Sequence, residues 1–265
     1  MNHREVGRYW NSNAEAWTRL ARAGYDVYRD YLNTPAFFNL LPNVKGMQGL
    51  DVGCGEGHNT RLLAQQGAQV HAIDIAEKFL AFAEEAEQEE PLGIDYLVAS
   101  AVELPFADET FDFATAFMSL MDIPELDLAL AEVYRVLKPG GFLQFSISHP
   151  CFDTPYRRKS RDANGEISAI EVGEYFQSRS GEITEWIFKA APPEEKQRFP
   201  KFRIPRFHLT LSQWLNLLIE TGFRLEKVAE PYPSEEAVQA CSKLQDAQVV
   251  AYFLHVRVRK PEATH

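Results

Sequence analysis

The spacing of apolar residues changes along this chain, and each change marks a different kind of structure. Residues 3–42 carry apolar positions at helical intervals, rich in aromatics (Tyr9, Trp10, Trp17, Tyr25, Tyr28, Tyr31), and predict one or two helices. From 48 to 148, short apolar runs alternate with helical patterns. Ala68-Gln-Val-His-Ala-Ile-Asp74, Phe111-Asp-Phe-Ala-Thr-Ala-Phe117 and Phe142-Leu-Gln-Phe-Ser-Ile-Ser148 read as strands, as does the apolar entry at Leu50. Leu126, Leu130, Val133 and Leu137 share one helical face, and Pro139-Gly140-Gly141 is expected to end that helix. Such alternation builds a parallel sheet with helices on both faces.

Residues 151–207 break the pattern. Two β-like runs, 167–176 and 182–189, are joined by Gln177-Ser-Arg-Ser-Gly181 and followed by a Pro- and charge-rich stretch. A connection this long in a compact domain reads as a lid or binding element. Alternation returns with Thr210-Leu-Ser-Gln213, a capping box for a helix that stops at Gly222. Strands around 224–230 and 249–258 finish the chain.

The richest chemistry lies in Leu50-Asp-Val-Gly-Cys-Gly-Glu-Gly57. Its glycines at 53, 55 and 57 let backbone approach a ligand closely, and the helix start that follows offers unpaired N–H groups. Asp74, at the tip of the next strand, is placed to take both hydroxyls of a ribose, with Ile75 beside it. Its alternative role is to cap the next helix. The pattern implies an adenosine-containing cofactor. Dinucleotide enzymes use G-x-G-x-x-G against a pyrophosphate. Here the spacing is G-x-G-x-G, and Asp51 precedes it, which suits a ligand carrying an ammonium better than one carrying phosphates. Asp51 could equally be a buried carboxylate that fixes the turn, and Glu56 a solvated turn residue.

This stretch resembles motif I of the class I S-adenosylmethionine-dependent methyltransferases. Ala99-Ser-Ala-Val-Glu-Leu-Pro-Phe106 resembles the family's third-strand exit, Phe111–Phe117 its fourth strand, and Glu132-Val-Tyr-Arg-Val-Leu-Lys-Pro-Gly-Gly-Phe142 its helix-to-fifth-strand turn. The resemblance covers roughly 45–150 and weakens from 208 onward. It implies an α/β, Rossmann-like, seven-stranded and mostly parallel sheet with one antiparallel strand near its edge, and 151–207 then reads as an insert between the fifth strand and the following helix. It also implies S-adenosylmethionine as cofactor, with Gly53, Gly55 and Gly57 cradling its methionine part. Ser100 and Ala101 stand where relatives read the adenine, although Ser100 replaces a common acidic residue. Phe117 and Met118 stand where relatives cover the ring and face the methyl group, and core packing would account for them equally. The expected division is an N-terminal helical lid (1–45), a cofactor-binding core (46–150), an inserted substrate cap (151–207) and the C-terminal part of the sheet (208–265).

Composition narrows the partners. Among 265 residues, 45 % hydrophobic and 12 % aromatic content are globular values, and the formal charge of −11 argues against a protein built to grip phosphate backbones. No run approaches a membrane span, and no apolar signal core opens the sequence. Cys54, Cys151 and Cys241 form no pair motif, which suits a reducing cytoplasmic setting without structural zinc or another metal. His149, just past the fifth strand, is the candidate base, with His208 second. Tyr9, Trp10 and Tyr28 could wall an acceptor pocket, as could Tyr156 and Arg157 of the insert. The cluster Arg157-Arg158-Lys159-x-Arg161 reads as a solvated loop, or else as a site for an anionic substrate group. The expected activity is methyl transfer to a small molecule, aromatic or anionic. The alternatives are methylation of a tRNA base or other macromolecule, a cofactor-binding protein without transferase activity and, more remotely, a nicotinamide dehydrogenase.

Overall fold

A computed structural model describes residues 1–262. Eight α-helices and eleven strands are formed among the described residues, and seven of the strands make one sheet. Its parallel half begins with β1 (Gln48–Val52), α3 (His58–Gln65), β2 (Gln69–Asp74), α4 (Glu77–Glu89) and β3 (Asp95–Val98). It continues through β4 (Phe111–Phe117), α5 (Leu126–Val136) and β5 (Leu137–Ser148). After the insert, α7 (Leu211–Thr221) leads into β10 (Arg224–Ala229), α8 (Glu235–Ala240) and β11 (Phe253–Arg259). The strand order is β10-β11-β5-β4-β1-β2-β3, and β11 runs antiparallel to both its neighbours. The sheet is the Rossmann-like one expected. Its order reverses between β1 and β4, which opens a crevice at their carboxyl ends.

Both faces of the sheet are covered by apolar side chains. Leu50, Val52, Ala114, Phe145 and Val256 pack with Leu126, Leu130 and Val133 of α5 and with Trp214 and Leu218 of α7. On the other face Phe113 stacks on Phe142 beside Leu63 and Val70. The capping box at Thr210 is present, and Gly222 ends α7 in the left-handed conformation. Helix α5 differs from expectation at its end: it stops at Val136, and Leu137 already pairs with Phe111 as the start of β5. Pro139 bars helical backbone at Lys138. Gly140, at φ +77°, then lets the chain bulge without leaving the sheet, so that pairing resumes at Phe113 and Phe142.

The insert also departs from its expected form. It holds two antiparallel strand pairs, β6 (Tyr156–Arg161) with β7 (Ile167–Gly173) and β8 (Arg179–Trp186) with β9 (Phe202–His208), and a short α6 (Pro193–Arg198). The two runs read from the sequence therefore do not pair with each other. The basic cluster forms β6 rather than a solvated loop. Arg158 points outward to Glu171 at 2.8 Å, whereas Arg157, Lys159 and Arg161 line the central cavity. The two-residue period of a strand separates them in this way.

At the amino end, α1 (His3–Arg22) is followed by a π-helical turn (Arg29–Asn33) and α2 (Thr34–Leu40). Trp17 of α1 packs against Trp186, Phe188 and Phe202, with ring centroids 4.8–5.5 Å apart. The Asn13 amide accepts from the Arg203 N–H and donates to the Arg203 carbonyl, both at 3.0 Å, and so continues the β9 hydrogen bonding. Helix α1 and the insert thereby form a common wall. No described helix is long and apolar enough to cross a membrane.

Candidate active site

The turn after β1 takes its shape from three glycines in left-handed conformation, Gly53 (φ +73°), Gly55 (+57°) and Gly57 (+84°). A Cβ at Gly53 would lie 2.4 Å from the Ser119 Cβ, so the turn and the exit of β4 meet there without room for a side chain. The N–H groups of Gly53 and Cys54 donate to the Ile73 carbonyl at 2.8 and 3.0 Å, fastening the turn to β2. Asp74 completes the link. One carboxylate oxygen accepts from the Gly55 N–H at 2.9 Å and the other from the Ala76 N–H at 2.8 Å. Each oxygen keeps capacity for another donor. Burial pushes the Asp74 pKa up to about 6, against those backbone donors. The residue before α4 that caps it is Ala76, so Asp74 supports that turn without being the cap itself.

These groups border a cavity of about 1070 Å³. Gly53, Gly55, Glu56, Asp74 and Ile75 line it, as do Ser100, Ala101, Phe117 and Met118. Gly57 and Asp51 do not. Asp51 is buried and accepts from Thr60 (2.7 Å) and Thr115 (2.8 Å), which is the turn-fixing arrangement. Gly57 lies against Tyr96, whose hydroxyl would meet an added Cβ at 2.6 Å. Glu56 is buried rather than solvated, and is neutralised by Arg29 (3.1 Å) and Arg22 (3.2 Å). Arg29 and its neighbour Asp26, whose pKa burial raises to about 6, also line the cavity. Their helical spacing among aromatics gave no signal of this in the sequence.

The rest of the cavity wall comes from the insert, α1 and the loop before β11, with α1 packed on Ile75 and Phe79. Trp10 and Tyr28 reach it, while Tyr9 and Tyr156 do not. The Tyr28 hydroxyl is 2.6 Å from the Asp246 carboxylate, which also pairs with Lys159. Arg157 lies over the Tyr252 ring at 4.3 Å. Its Nε and Nη2, and the Tyr252 hydroxyl, are buried with no partner among the described residues.

Neither histidine reaches this cavity. His149 is buried against Phe152, its Nε2 is 2.8 Å from Glu230, and its Nδ1 accepts from the Cys151 N–H at 3.2 Å. His208 is held by the Tyr175 carbonyl at 2.8 Å and borders a smaller neighbouring pocket. The carboxyl end of β5 carries His149 into the turn toward β11 instead of the crevice, as the His149 N–H bond to the Tyr252 carbonyl shows. The cavity has another titratable group at a better place, Asp122, in a tight 3-10 turn (Leu120–Asp122) just past β4. The sequence offered no motif for it.

Comparison with known proteins fits this geometry. A family model described as a methyltransferase domain matches residues 50–145. The ubiquinone/menaquinone biosynthesis C-methyltransferase of Bartonella bacilliformis is 33 % identical over 178 residues, spanning 63 % of this chain and 68 % of that one. The chain belongs to the class I S-adenosylmethionine-dependent methyltransferases. A malonyl-[acyl-carrier protein] O-methyltransferase of Pectobacterium atrosepticum is also 33 % identical, over 135 residues that span 50 % of this chain and about half (51 %) of that relative. Among solved structures, an S-adenosylmethionine-dependent methyltransferase from Mesorhizobium loti superposes with a TM-score of 0.69 at 28 % identity, covering 85 % of this chain and 96 % of that one. The cofactor of this methyltransferase is S-adenosylmethionine. The glycine turn, left-handed at all three glycines, and a carboxylate with spare acceptor capacity suit it. The cavity volume stands at the upper end of ligand pockets, ~300–1,000 Å³.

Proposed function

We propose that this methyltransferase transfers the methyl group of S-adenosylmethionine to a small acceptor that is anionic and partly aromatic. The observation that carries the reading is strand β6, which turns Arg157, Lys159 and Arg161 toward the cavity. They belong to the insert rather than to the glycine turn, and Arg157 has two nitrogens without a partner among the described residues. Trp10, Trp17 and Trp186 on the same cavity add aromatic surface for a planar or apolar portion. The quinone-pathway relative's name is compatible with a partly aromatic acceptor and the malonyl relative's with an anionic one, there carried on a protein.

In this reading Asp74 holds the ribose hydroxyls, and the Gly53–Gly55 backbone holds the methionine part. Ser100 and Ala101 border the adenine, and Phe117 and Met118 pack beside the cofactor. Asp51 acts from behind, by fixing the turn through Thr60 and Thr115. When bound, the cofactor supplies an activated methyl electrophile. The chain's task is to hold acceptor and methyl close and aligned, from which much of the acceleration in such displacements can come. Arg157 fixes the acceptor's charge, the tryptophans fix its plane, and α1 with the insert excludes water.

Incubation with methyl-labelled S-adenosylmethionine and cell extract, followed by fractionation, tests the reading. Label is expected in small molecules retained by an anion exchanger. Label in RNA or protein, or only in uncharged small molecules, overturns it.

A further inference from the structure

Resting on the reading that methyl transfer takes place in this cavity, we propose that Asp122 is a catalytic base, which takes the proton of the acceptor's nucleophile. The acceptor then reacts through an O–H, N–H or acidic C–H group. Position is the first argument. Met118, at the end of β4, holds a left-handed φ of +56°, unusual for a side chain with a Cβ. This bend puts Ser119 against Gly53, with its hydroxyl donating to the Val52 carbonyl at 2.5 Å. Asp122 follows within the same short turn, held by its N–H to the Ser119 carbonyl at 3.0 Å. The segment that touches the glycine turn thus also carries the carboxylate.

The second argument is the state of that carboxylate. Asp122 is 7 % exposed and borders the cavity, yet its side chain accepts no hydrogen bond from any described residue. The other buried carboxylates nearby are all engaged: Asp51 by two threonines, Asp74 by two backbone N–H groups, Glu56 by two arginines and Asp246 by Tyr28 and Lys159. Unlike the enclosed Arg157 and Tyr252 atoms, the Asp122 oxygens keep open surface, and Asp122 borders the cavity, so they can accept from an incoming O–H, N–H or C–H of the acceptor.

The groups facing Asp122 leave it available. Arg206 of β9 is spent on Asp153, which follows β5, and the two partly cancel at Asp122. Arg179 of β8 and His208 share the smaller pocket on its other side, with Arg179 donating to the Pro155 carbonyl at 2.7 Å. Burial raises the Asp122 pKa to about 7, with Arg206 opposing and Asp153 adding. A base is most effective when its pKa lies near the working pH. In the step itself, the acceptor's electron pair forms the bond to the methyl carbon and the sulfur–carbon bond breaks with its pair left on sulfur. The acceptor's proton passes to Asp122, and water removes it after product leaves.

The test compares wild type, Asp122→Asn and Asp122→Glu between about pH 5 and about pH 9. It measures label transferred from S-adenosylmethionine into the small molecules of an extract, S-adenosylhomocysteine affinity by calorimetry, and Tm. Wild-type rate is expected to rise about tenfold per pH unit and level off near the pKa of the base. Asp122→Asn should lose ~100-fold or more, keep S-adenosylhomocysteine affinity within about twofold, and show a residual rate that is flat in pH. Asp122→Glu should recover part of the rate. At about pH 8 Asp122→Asn should melt above wild type, with the gap narrowing at about pH 5 and closing only toward the ordinary 3.8. A folded Asp122→Asn protein with the wild-type rate and profile overturns the proposal. If wild type labels no small molecule, the acceptor reading fails, and the Tm comparison still decides: the same gap at both pH values overturns the base. Should asparagine prevent folding, the carbon-13 carboxyl signal of Asp122 replaces the variant. A midpoint of about 7 supports the base, and one near the ordinary 3.8 overturns it.

Discussion

At Gly53 a single residue joins fold to chemistry. Its φ of +73° and the 2.4 Å approach of Ser119 exclude any side chain. Gly53→Ala is expected to cost about 1–3 kcal/mol of stability, read from denaturant melts, and to weaken S-adenosylhomocysteine binding further by moving the turn. Asp74→Ala should weaken that binding by more than about tenfold, since hydrogen bonds to a charged acceptor are worth ~1.5–3 kcal/mol. Ribose hydroxyls favour the ionised carboxylate, and the free group titrates at about 6. Affinity should therefore fall as pH drops below that value, and calorimetry at about pH 5 and about pH 7.5 checks it, with Asp74→Asn removing the dependence. These residues were legible because a turn that needs left-handed backbone demands glycine, and the strand tip that reaches the crevice demands a short carboxylate. Asp122 was not legible. Its significance comes from having no partner, and a sequence does not show who is missing.

Among the elements, strand β6 changes the functional picture most. Four basic residues in five look like a solvated patch until the strand period divides them, with Arg158 outward on Glu171 and Arg157 inward beside Tyr252. Arg157→Met keeps much of the bulk over Tyr252 and removes the charge. It should raise the acceptor KM by about tenfold or more, from the loss of a charge-assisted hydrogen bond, and leave S-adenosylhomocysteine affinity unchanged. An equal loss of both would make β6 a structural strand. The signal for this hairpin is local, in the turn Asp162-Ala-Asn-Gly165 where the Asp162 carboxylate accepts from the Asn164 and Glu166 N–H groups at 2.9 Å; what the sequence hides is where the hairpin docks. The same holds for α1, whose helical period was plain but whose docking was not. Asn13→Ala should remove about 1–2 kcal/mol of stability by leaving the Arg203 backbone groups without their partner.

Taken as a whole, the molecule sets a sheet that its sequence announces against walls that its sequence conceals. Strand runs alternating with helices allow few topologies once connections must be right-handed and short, so the order around β1 and β4 was within reach. The insert and α1 meet through aromatic side chains that would look the same in any core. The site also loads the whole protein with buried acids. Asp26 and Asp74 are raised to about 6 and Asp122 to about 7, so each holds its proton in the folded state where the unfolded chain has released it. Stability of the free protein should therefore fall as pH rises from about 5 to about 8, by on the order of 1–3 kcal/mol. His255, lowered by burial to about 4, and His58, also lowered by burial, act in the opposite sense below their ordinary value, while Asp51, raised by burial, adds to the three acids. Asp112, Glu132 and Glu226, held low, act only in more acidic solution. Urea unfolding at those two pH values reads the slope, and a rise in stability over the interval would contradict it.

The central claim is that one cavity holds the cofactor on Asp74 and the glycine turn and leaves the Arg157 and Asp122 side for the acceptor. A crystal structure with S-adenosylhomocysteine tests it most directly. The account predicts both ribose hydroxyls within hydrogen-bond distance of Asp74, the sulfur beside Met118 and Ser119, and open space from there to Arg157. A nucleoside bound away from Asp74, or lying across Arg157 and Asp122 so that no acceptor fits, would contradict it.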